Sequence, residues 1–198
     1  MSDEDRKKWD AKYAQQDAVS SLTAQPSLLL DQLDHILPRS GKALDVAGGA
    51  GRHAIWLAGR GLDVTLADIS QAGLDIARAR AAAEGVNIET LQIDLEFSPF
   101  PAGPWDLIVA IHYLYRPLFE IFPAALAPGG LLVCSQPTLS NLQRHPKPPA
   151  RFLLQDGELP HLVRDLEVVH YQEGWLAEGR HEALLAARRS PESPTAKR

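Results

Sequence analysis

Three acidic residues each stand at the end of a predicted strand. Asp45, Asp68 and Asp94 each end or directly follow an apolar run that has the length of a strand. A carboxylate at the tip of a strand can accept hydrogen bonds from both hydroxyls of a ribose, about 20 residues after a glycine-rich turn. Asp68 lies 23 residues after Asp45 (68 − 45). We therefore predict that Asp68 binds a ribose and that Asp94 lies near the attached base.

The residues after Asp45 form a glycine-rich turn. Gly48, Gly49 and Gly51 occur within four positions, and a helix-like pattern follows them. Glycine lets the backbone turn sharply and approach a ligand, and the next helix aims its unpaired N–H groups at that ligand. The residues predicted to bind the cofactor are Asp45, Ala47, Gly48, Gly49, Gly51, Arg52, Asp68, Ile69, Asp94, Leu95 and Ile111.

The identity of that cofactor depends on the acid before the glycines. The stretch from Gly49 to Ala54 fits the dinucleotide fingerprint with alanine in its last place, which would indicate NAD. An acid at the end of the preceding strand is not part of that fingerprint. Asp45 instead resembles the acid that precedes the glycines in class I S-adenosylmethionine (SAM) methyltransferases, although Ala47 stands where those proteins usually have their first glycine.

The elements that must position these residues alternate between strands and helices. Such alternation predicts parallel strands joined by right-handed crossovers. Ser70 is placed as the N-cap of an alanine-rich helix that Gly85 closes. Two β-like runs near the end of the chain, 167–171 and 183–187, lack a helix between them, so we expect an antiparallel hairpin. We expect Pro123 to begin a second short helix rather than to lie inside one.

Length and composition place limits on the function. The 198 residues suit a single domain with its own core, and the net charge of −5 without a basic stripe disfavours nucleic acid as a partner. No apolar run reaches the length of a membrane span, and the acidic N-terminus lacks a signal-peptide pattern. A single cysteine, Cys134, leaves no internal disulfide and no cysteine-built zinc site. We expect a cytoplasmic enzyme that uses neither a membrane nor a bound metal.

With these residues identified, the chain resembles a class I SAM-dependent methyltransferase over roughly residues 40–190. Within that superfamily it is similar to the tellurite-resistance and thiopurine-type small-molecule enzymes. The resemblance is carried by Trp9-Asp10-x-Lys12-Tyr13, Pro26-Ser27, the glycine turn, and Trp56-Leu57-Ala58-x-Arg60-Gly61-x-x-Val64-Thr65. It implies an α/β Rossmann-like fold, a mostly parallel seven-stranded sheet of order 3-2-1-4-5-7-6 with a C-terminal antiparallel hairpin. It also implies SAM as cofactor and S-adenosylhomocysteine as product.

The same resemblance divides the chain and suggests a lid. We expect a helical lid or cap over residues 1–39, the SAM-binding domain over residues 40–189, and a disordered tail over residues 190–198. The lid residues predicted to order over the cofactor or substrate are Trp9, Lys12 and Tyr13.

The methyl acceptor is expected beyond the carboxyl ends of the strands. His112, Tyr113 and Arg116 follow the fourth strand there and are the candidate catalytic residues, with His112 as a base or an orienting donor. Arg144 and Arg151, with His145 beside them, lie in the long excursion 138–160 and could bind an anion.

These residues predict a small, soft or anionic acceptor, such as a thiol, a metalloid oxyanion or a small carboxylate. The expected oligomeric state is a monomer or a homodimer. Two other functions stay open at this point: a non-catalytic SAM-binding regulatory protein, and an NAD-dependent oxidoreductase.

Overall fold

The structure, a computed structural model, describes residues 3–15 and 26–191. Part of the predicted lid region and most of the predicted tail lie outside these residues, and the domain boundary at residue 40 stays a prediction. The strands are β1 (Lys42–Val46), β2 (Asp63–Asp68), β3 (Glu89–Gln92), β4 (Trp105–Ile111), β5 (Leu126–Pro137), β6 (Glu167–Trp175) and β7 (His181–Arg188). The helices are α1 (Asp3–Ala14), α2 (Leu28–Gln32), α3 (Arg52–Ala58), α4 (Gln71–Ala83), α5 (Leu118–Ala125) and α6 (Leu159–Leu162), and two 3₁₀ turns span Leu139–Gln143 and Ala150–Phe152.

The seven strands form one sheet in the order β3-β2-β1-β4-β5-β7-β6. The predicted strand order and the predicted C-terminal antiparallel hairpin are both confirmed. Within the described residues, no helix is long and apolar enough to cross a membrane.

The residues up to Ala102 form the first of two compact units. In this unit β2 pairs in parallel with β1 on one side and with β3 on the other. Leu44 and Leu66 are fully buried on neighbouring strands, and Leu57 of α3 and Leu74 of α4 are buried with them. The helix α4 begins as predicted, because the Ser70 hydroxyl accepts a hydrogen bond from the Gly73 N–H group.

The residues from Gly103 onwards form the second unit. Here β4 and β5 are parallel, while β7 runs antiparallel to both β5 and β6. The strands β4, β5 and β7 are buried along most of their length, which explains why their sequences are nearly continuous apolar runs.

One local expectation is wrong. Pro123 does not begin a new helix but lies inside the single helix α5. A proline at this position removes one backbone hydrogen bond. The helix nevertheless continues because Leu118, Phe119 and Phe122 on its apolar face are buried, with the two phenylalanine rings 5.4 Å apart in an edge-to-face arrangement.

Candidate functional site

The turn between β1 and α3 is held in an unusual backbone conformation. Ala47, Gly49 and Gly51 all have positive φ angles, of 53°, 57° and 77°. At Gly51 a side chain is excluded by packing as well, since a Cβ atom there would lie 2.8 Å from the Cβ of Ala77 on α4. The Arg80 guanidinium, also on α4, donates to the carbonyl oxygen of Ala50 at 3.1 Å and so ties the turn to α4.

Asp45, in β1 just before this turn, binds the first turn of α3. Its carboxylate is buried and accepts a hydrogen bond from the Ala54 N–H group of α3 at 3.1 Å. Burial, with a further contribution from the negative charge of Asp68, raises the pKa of Asp45 to about 7. The hydrogen bond from Ala54 and the nearby charge of Arg52 lower it only in part.

Asp68, at the end of β2, connects the turn to the start of α4. One carboxylate oxygen accepts from the Gly49 N–H group and the other from the Ser70 N–H group, both at 2.8 Å. Burial, with a further contribution from the charge of Asp10, raises the pKa of Asp68 despite hydrogen bonds from the backbone of Ser70, Gly49 and Ile69. Because a carboxylate offers about four acceptor positions, Asp68 keeps acceptor capacity for a hydroxyl donor.

The helix α1 lies against this turn. Asp10 accepts from the Ser70 hydroxyl at 2.6 Å and from the Ala72 N–H group at 3.2 Å. The Tyr13 hydroxyl lies over Gly49, where it would collide with any side chain, and it hydrogen-bonds the Ala50 N–H group. Burial, followed by the charges of Asp68 and Asp45, raises the pKa of Tyr13 to about 12.

The other predicted lid residues cluster around Tyr13. The ring of Trp9 stacks on that of Tyr13 with centroids 6.0 Å apart, and the Lys12 ammonium lies 4.2 Å from the Trp9 centroid.

The remaining predicted cofactor residues occupy the ends of the strands. Asp94 follows β3 and accepts a hydrogen bond from the Glu96 N–H group, and Leu95 next to it is buried. Ile69 follows β2 and Ile111 ends β4, and both are buried. The carbonyl of Gly48 accepts from the Gly51 N–H group and closes the turn.

In the second unit, His112 follows β4 with a positive φ angle of 59°. Its Nε2 atom lies 3.0 and 3.1 Å from the two carboxylate oxygens of Glu182 on β7. Glu182 also accepts from the Ser135 hydroxyl at 2.8 Å and pairs with Arg180 at 3.0 Å. Burial acts to raise the pKa of Glu182, but its bond to His112, the charges of His112 and Arg180 and the Ser135 hydroxyl together hold it below the usual value.

The predicted cationic residues of this unit are engaged by neighbours. The Arg116 guanidinium donates to both carboxylate oxygens of Glu158, from Nε to Oε1 and from Nη2 to Oε2 at 2.8 Å. Its Nη2 also donates to the carbonyl oxygen of Leu153. Arg144 stacks on the ring of Trp175 at 3.8 Å. Arg151 lies over the Phe152 ring at 4.7 Å, and Tyr113 is a half-buried neighbour of His112.

The sequence analysis did not identify two carboxylates of the second unit, Glu182 beside His112 and Glu158 beside Arg116. Glu182 was detectable as the one acid inside the apolar strand β7, since a charge in a buried strand needs a partner. Glu158 carried no signal, because it lies in an irregular, proline-rich segment. Within residues 3–15 and 26–191, no group of three or more His, Cys, Asp and Glu side chains could hold a metal ion.

Comparison with known proteins agrees with this geometry. Residues 43–130 match the family model of the methyltransferase domain. A demethylmenaquinone methyltransferase of Thermus thermophilus is 37% identical over 100 residues, which cover 46% of this chain and 45% of that protein. The chain spans less than half the length of the curated relatives it matches.

Solved structures share the fold. TehB of Haemophilus influenzae has a TM-score of 0.70 at 24% identity, covering 85% of this chain and 63% of TehB. A TehB-like SAM-dependent methyltransferase of Corynebacterium glutamicum has a TM-score of 0.62 at 20% identity, covering 82% of this chain and 87% of that one.

Residues 43–130 therefore match a methyltransferase domain, and the predicted resemblance to TehB and the TehB-like protein holds for the fold. SAM is the cofactor that such a domain implies. The residues of the first unit fit this group, because Asp68 retains acceptor capacity for a ribose hydroxyl beside a glycine turn.

The buried charge of Asp45 generates a prediction about stability. Between the unfolded pKa of about 4 and the folded value of about 7, the native state holds more protons, so stability falls as pH rises. Asp45→Asn carries no such charge. Its free energy of unfolding, measured with urea, should therefore improve relative to wild type between about pH 5 and pH 8.

Asp63→Asn, at an exposed position in β2, is the matched control and should follow the wild type across this range. A constant offset between Asp45→Asn and the wild type at every pH would show that Asp45 does not take up a proton on folding.

Proposed function

We propose that this protein transfers a methyl group from SAM to a small-molecule acceptor. The observation that carries the proposal is the joint support of the glycine turn by Asp45 and Asp68, within the segment that matches the methyltransferase domain. SAM supplies an already activated methyl group on a sulfonium centre. The protein must then bind the donor, align the acceptor and exclude water.

The cofactor roles proposed for the first unit follow from its donors and acceptors. Asp68 accepts the two ribose hydroxyls, and the turn around Gly49 brings backbone N–H groups close to the donor. Asp94 and Leu95 hold the adenine, with Ile69 as an apolar neighbour. Ile111, at the end of β4, stays a predicted cofactor residue. Asp45 supports the turn from the buried side and Arg52 moderates its charge.

We also propose that α1 is the lid of this site. None of its residues is fully buried, and an isolated helix of 12 residues is marginal in water. Its position therefore depends on Asp10 and on the Trp9–Tyr13 pair, which contacts the turn beside Asp68. Closure of this helix over the donor would exclude water.

The acceptor class is the finer part of the proposal. A soft or anionic acceptor, namely a thiol, a metalloid oxyanion or a small carboxylate, would be met by His112, Tyr113 and Arg116, with Arg144 and Arg151 from the excursion. The net charge of −5 argues against nucleic acid, since basic residues supply most of the affinity for phosphates. A cytoplasmic location and a monomeric or homodimeric state complete the proposal.

Loss of the Asp68 carboxylate should weaken cofactor binding. Hydrogen bonds to a charged group are worth about 1.5–3 kcal/mol each, so Asp68→Ala should bind S-adenosylhomocysteine at least about tenfold more weakly in calorimetry. Asp75→Ala, which removes an exposed carboxylate from α4, should bind like the wild type. Equal affinities in a folded Asp68→Ala protein would exclude Asp68 from the cofactor site.

Release of α1 should impair binding and turnover while the fold stays intact. Asp10→Ala loses two hydrogen bonds to the start of α4 and should bind S-adenosylhomocysteine roughly threefold to tenfold more weakly. Asp3→Ala breaks only an exposed pair with Arg6 on the same helix and is the control. If Asp10→Ala retained full affinity and full activity, α1 would not be a lid.

A direct test of the acceptor is labelling with radioactive SAM. The purified protein would be offered thiols, selenite or tellurite, small carboxylates, bulk tRNA and a protein extract in parallel. We expect label in small molecules, because the net charge of −5 disfavours binding of the polymers. Label found only in tRNA or protein would contradict the acceptor class, and binding of SAM without any labelled product would indicate a regulatory protein.

A further inference from the structure

Outside the proposed cofactor residues, a cluster of hydrogen-bonded side chains surrounds Glu182. This carboxylate is almost fully buried, with 3% of its side chain exposed, whereas the imidazole of His112 retains 35%. Three donors converge on it from different segments: His112 after β4, Ser135 in β5 and Arg180 before β7. A buried carboxylate with three donors is stable only as an anion.

The anion of Glu182 determines how the imidazole carries its proton. Because an ionised carboxylate only accepts hydrogen bonds, the proton of neutral His112 must lie on Nε2, which faces both carboxylate oxygens. The lone pair is then on Nδ1. Among the described residues, none hydrogen-bonds Nδ1.

The backbone conformation at His112 indicates that the fold imposes the orientation of its imidazole ring towards Glu182. A φ angle of 59° is uncommon for a residue with a side chain and persists only where the surrounding structure holds it. The His112 N–H group donates to the carbonyl of Ser135 at 2.8 Å, and the Ser135 hydroxyl donates to Glu182. Neighbouring strands therefore hold both members of the pair.

We infer that His112 accepts the proton of the methyl acceptor through Nδ1 and that Glu182 is its positioning residue. This inference rests on the proposed methyl transfer. It narrows the acceptor to a nucleophile that still carries its proton at neutral pH, such as an aliphatic thiol. An acceptor that is already ionised gains nothing from a base.

Two cations of this unit agree with that choice. Arg116 is bound by both oxygens of Glu158, and Arg180 is paired with Glu182, so the charge of each is compensated. Such compensated guanidinium groups attract an oxyanion less strongly than unpaired ones. A neutral acceptor that loses its proton as it reacts does not require an unpaired guanidinium group for binding.

The step balances without a further reactant. The proton of the acceptor passes to Nδ1 of His112, and the freed electron pair of the acceptor sulfur forms the new bond to the methyl carbon. The old bond between that carbon and the sulfonium sulfur breaks, and its electrons remain on the departing S-adenosylhomocysteine. The imidazolium, stabilised by Glu182, later returns its proton to water.

The test compares two thiols that differ in ionisation. An aliphatic thiol keeps its proton at neutral pH, whereas 4-nitrothiophenol is already a thiolate. For His112→Gln we expect kcat/KM with the aliphatic thiol to fall about a hundredfold and with the aryl thiolate less than about threefold. Glu182→Gln should show the same selectivity with a fall of about tenfold. His161→Gln, on α6, should match the wild type with both.

A second measurement does not depend on turnover. Long-range proton–nitrogen NMR of the imidazole rings should show the His112 proton on Nε2 in the wild type and a mixture of both tautomers in Glu182→Ala. Calorimetry should show unchanged affinity for S-adenosylhomocysteine in the His112 and Glu182 variants.

Two results would overturn the inference. Equal losses with both thiols in His112→Gln would show that His112 contributes binding or shape and not basicity. Methylation by the wild type of ionised acceptors but not of the aliphatic thiol would reject the acceptor class and leave methyl transfer intact. A wild-type protein that binds SAM but methylates nothing would instead contradict the proposed function itself.

Discussion

The structure of the first unit depends on two carboxylates buried beside a glycine turn. Asp45 and Asp68 each accept backbone N–H groups that the turn and the helix starts leave unpaired. Burial of two acids so close together raises the pKa of both, which is an electrostatic cost that a purely structural turn would not need. Acids at the carboxyl ends of two neighbouring parallel strands are suited to binding the ribose hydroxyls of a nucleoside ligand.

The helix α1 illustrates how a polar segment can be positioned by a few contacts. It buries none of its residues fully, and its contacts with the rest of the unit include the hydrogen bonds of Asp10 and the half-buried rings of Trp9 and Tyr13. Asp10 accepts from the Ala72 N–H group at the start of α4, which an anionic ligand could also use, and the Tyr13 hydroxyl lies over Gly49, which has no side chain. A segment held in this way can detach at little cost in core packing, which is the property expected of a lid.

The second unit has a different kind of organisation. Its charged groups occur as pairs between segments that are distant in the chain: His112 with Glu182, and Arg116 with Glu158. The first pair is asymmetric, with a buried anion and a partly exposed imidazole, and only the exposed member can exchange a proton with a small molecule. The second pair compensates the charge of Arg116, which the sequence alone presents as a candidate catalytic residue.

The sequence by itself determined the elements that follow from local patterns. Apolar runs predicted the strands, and the helix-free link between the last two strands required an antiparallel hairpin. The cofactor site that the strand-end acids and the spacing of Gly49 and Gly51 indicate stays a prediction. These features depend on residues near one another in the chain. Pro123 was the local exception, because burial of the phenylalanines in α5 outweighs the lost hydrogen bond.

The tertiary structure alone decided which charges meet. Glu182 lies 70 residues from His112 (182 − 112), and only the pairing of β7 with β5 brings it there. Likewise, the contact of Tyr13 with the glycine turn could not be derived from the spacing of Trp9 and Tyr13. A side chain's ionisation and role depend on its neighbours in space, and sequence patterns report neighbours along the chain.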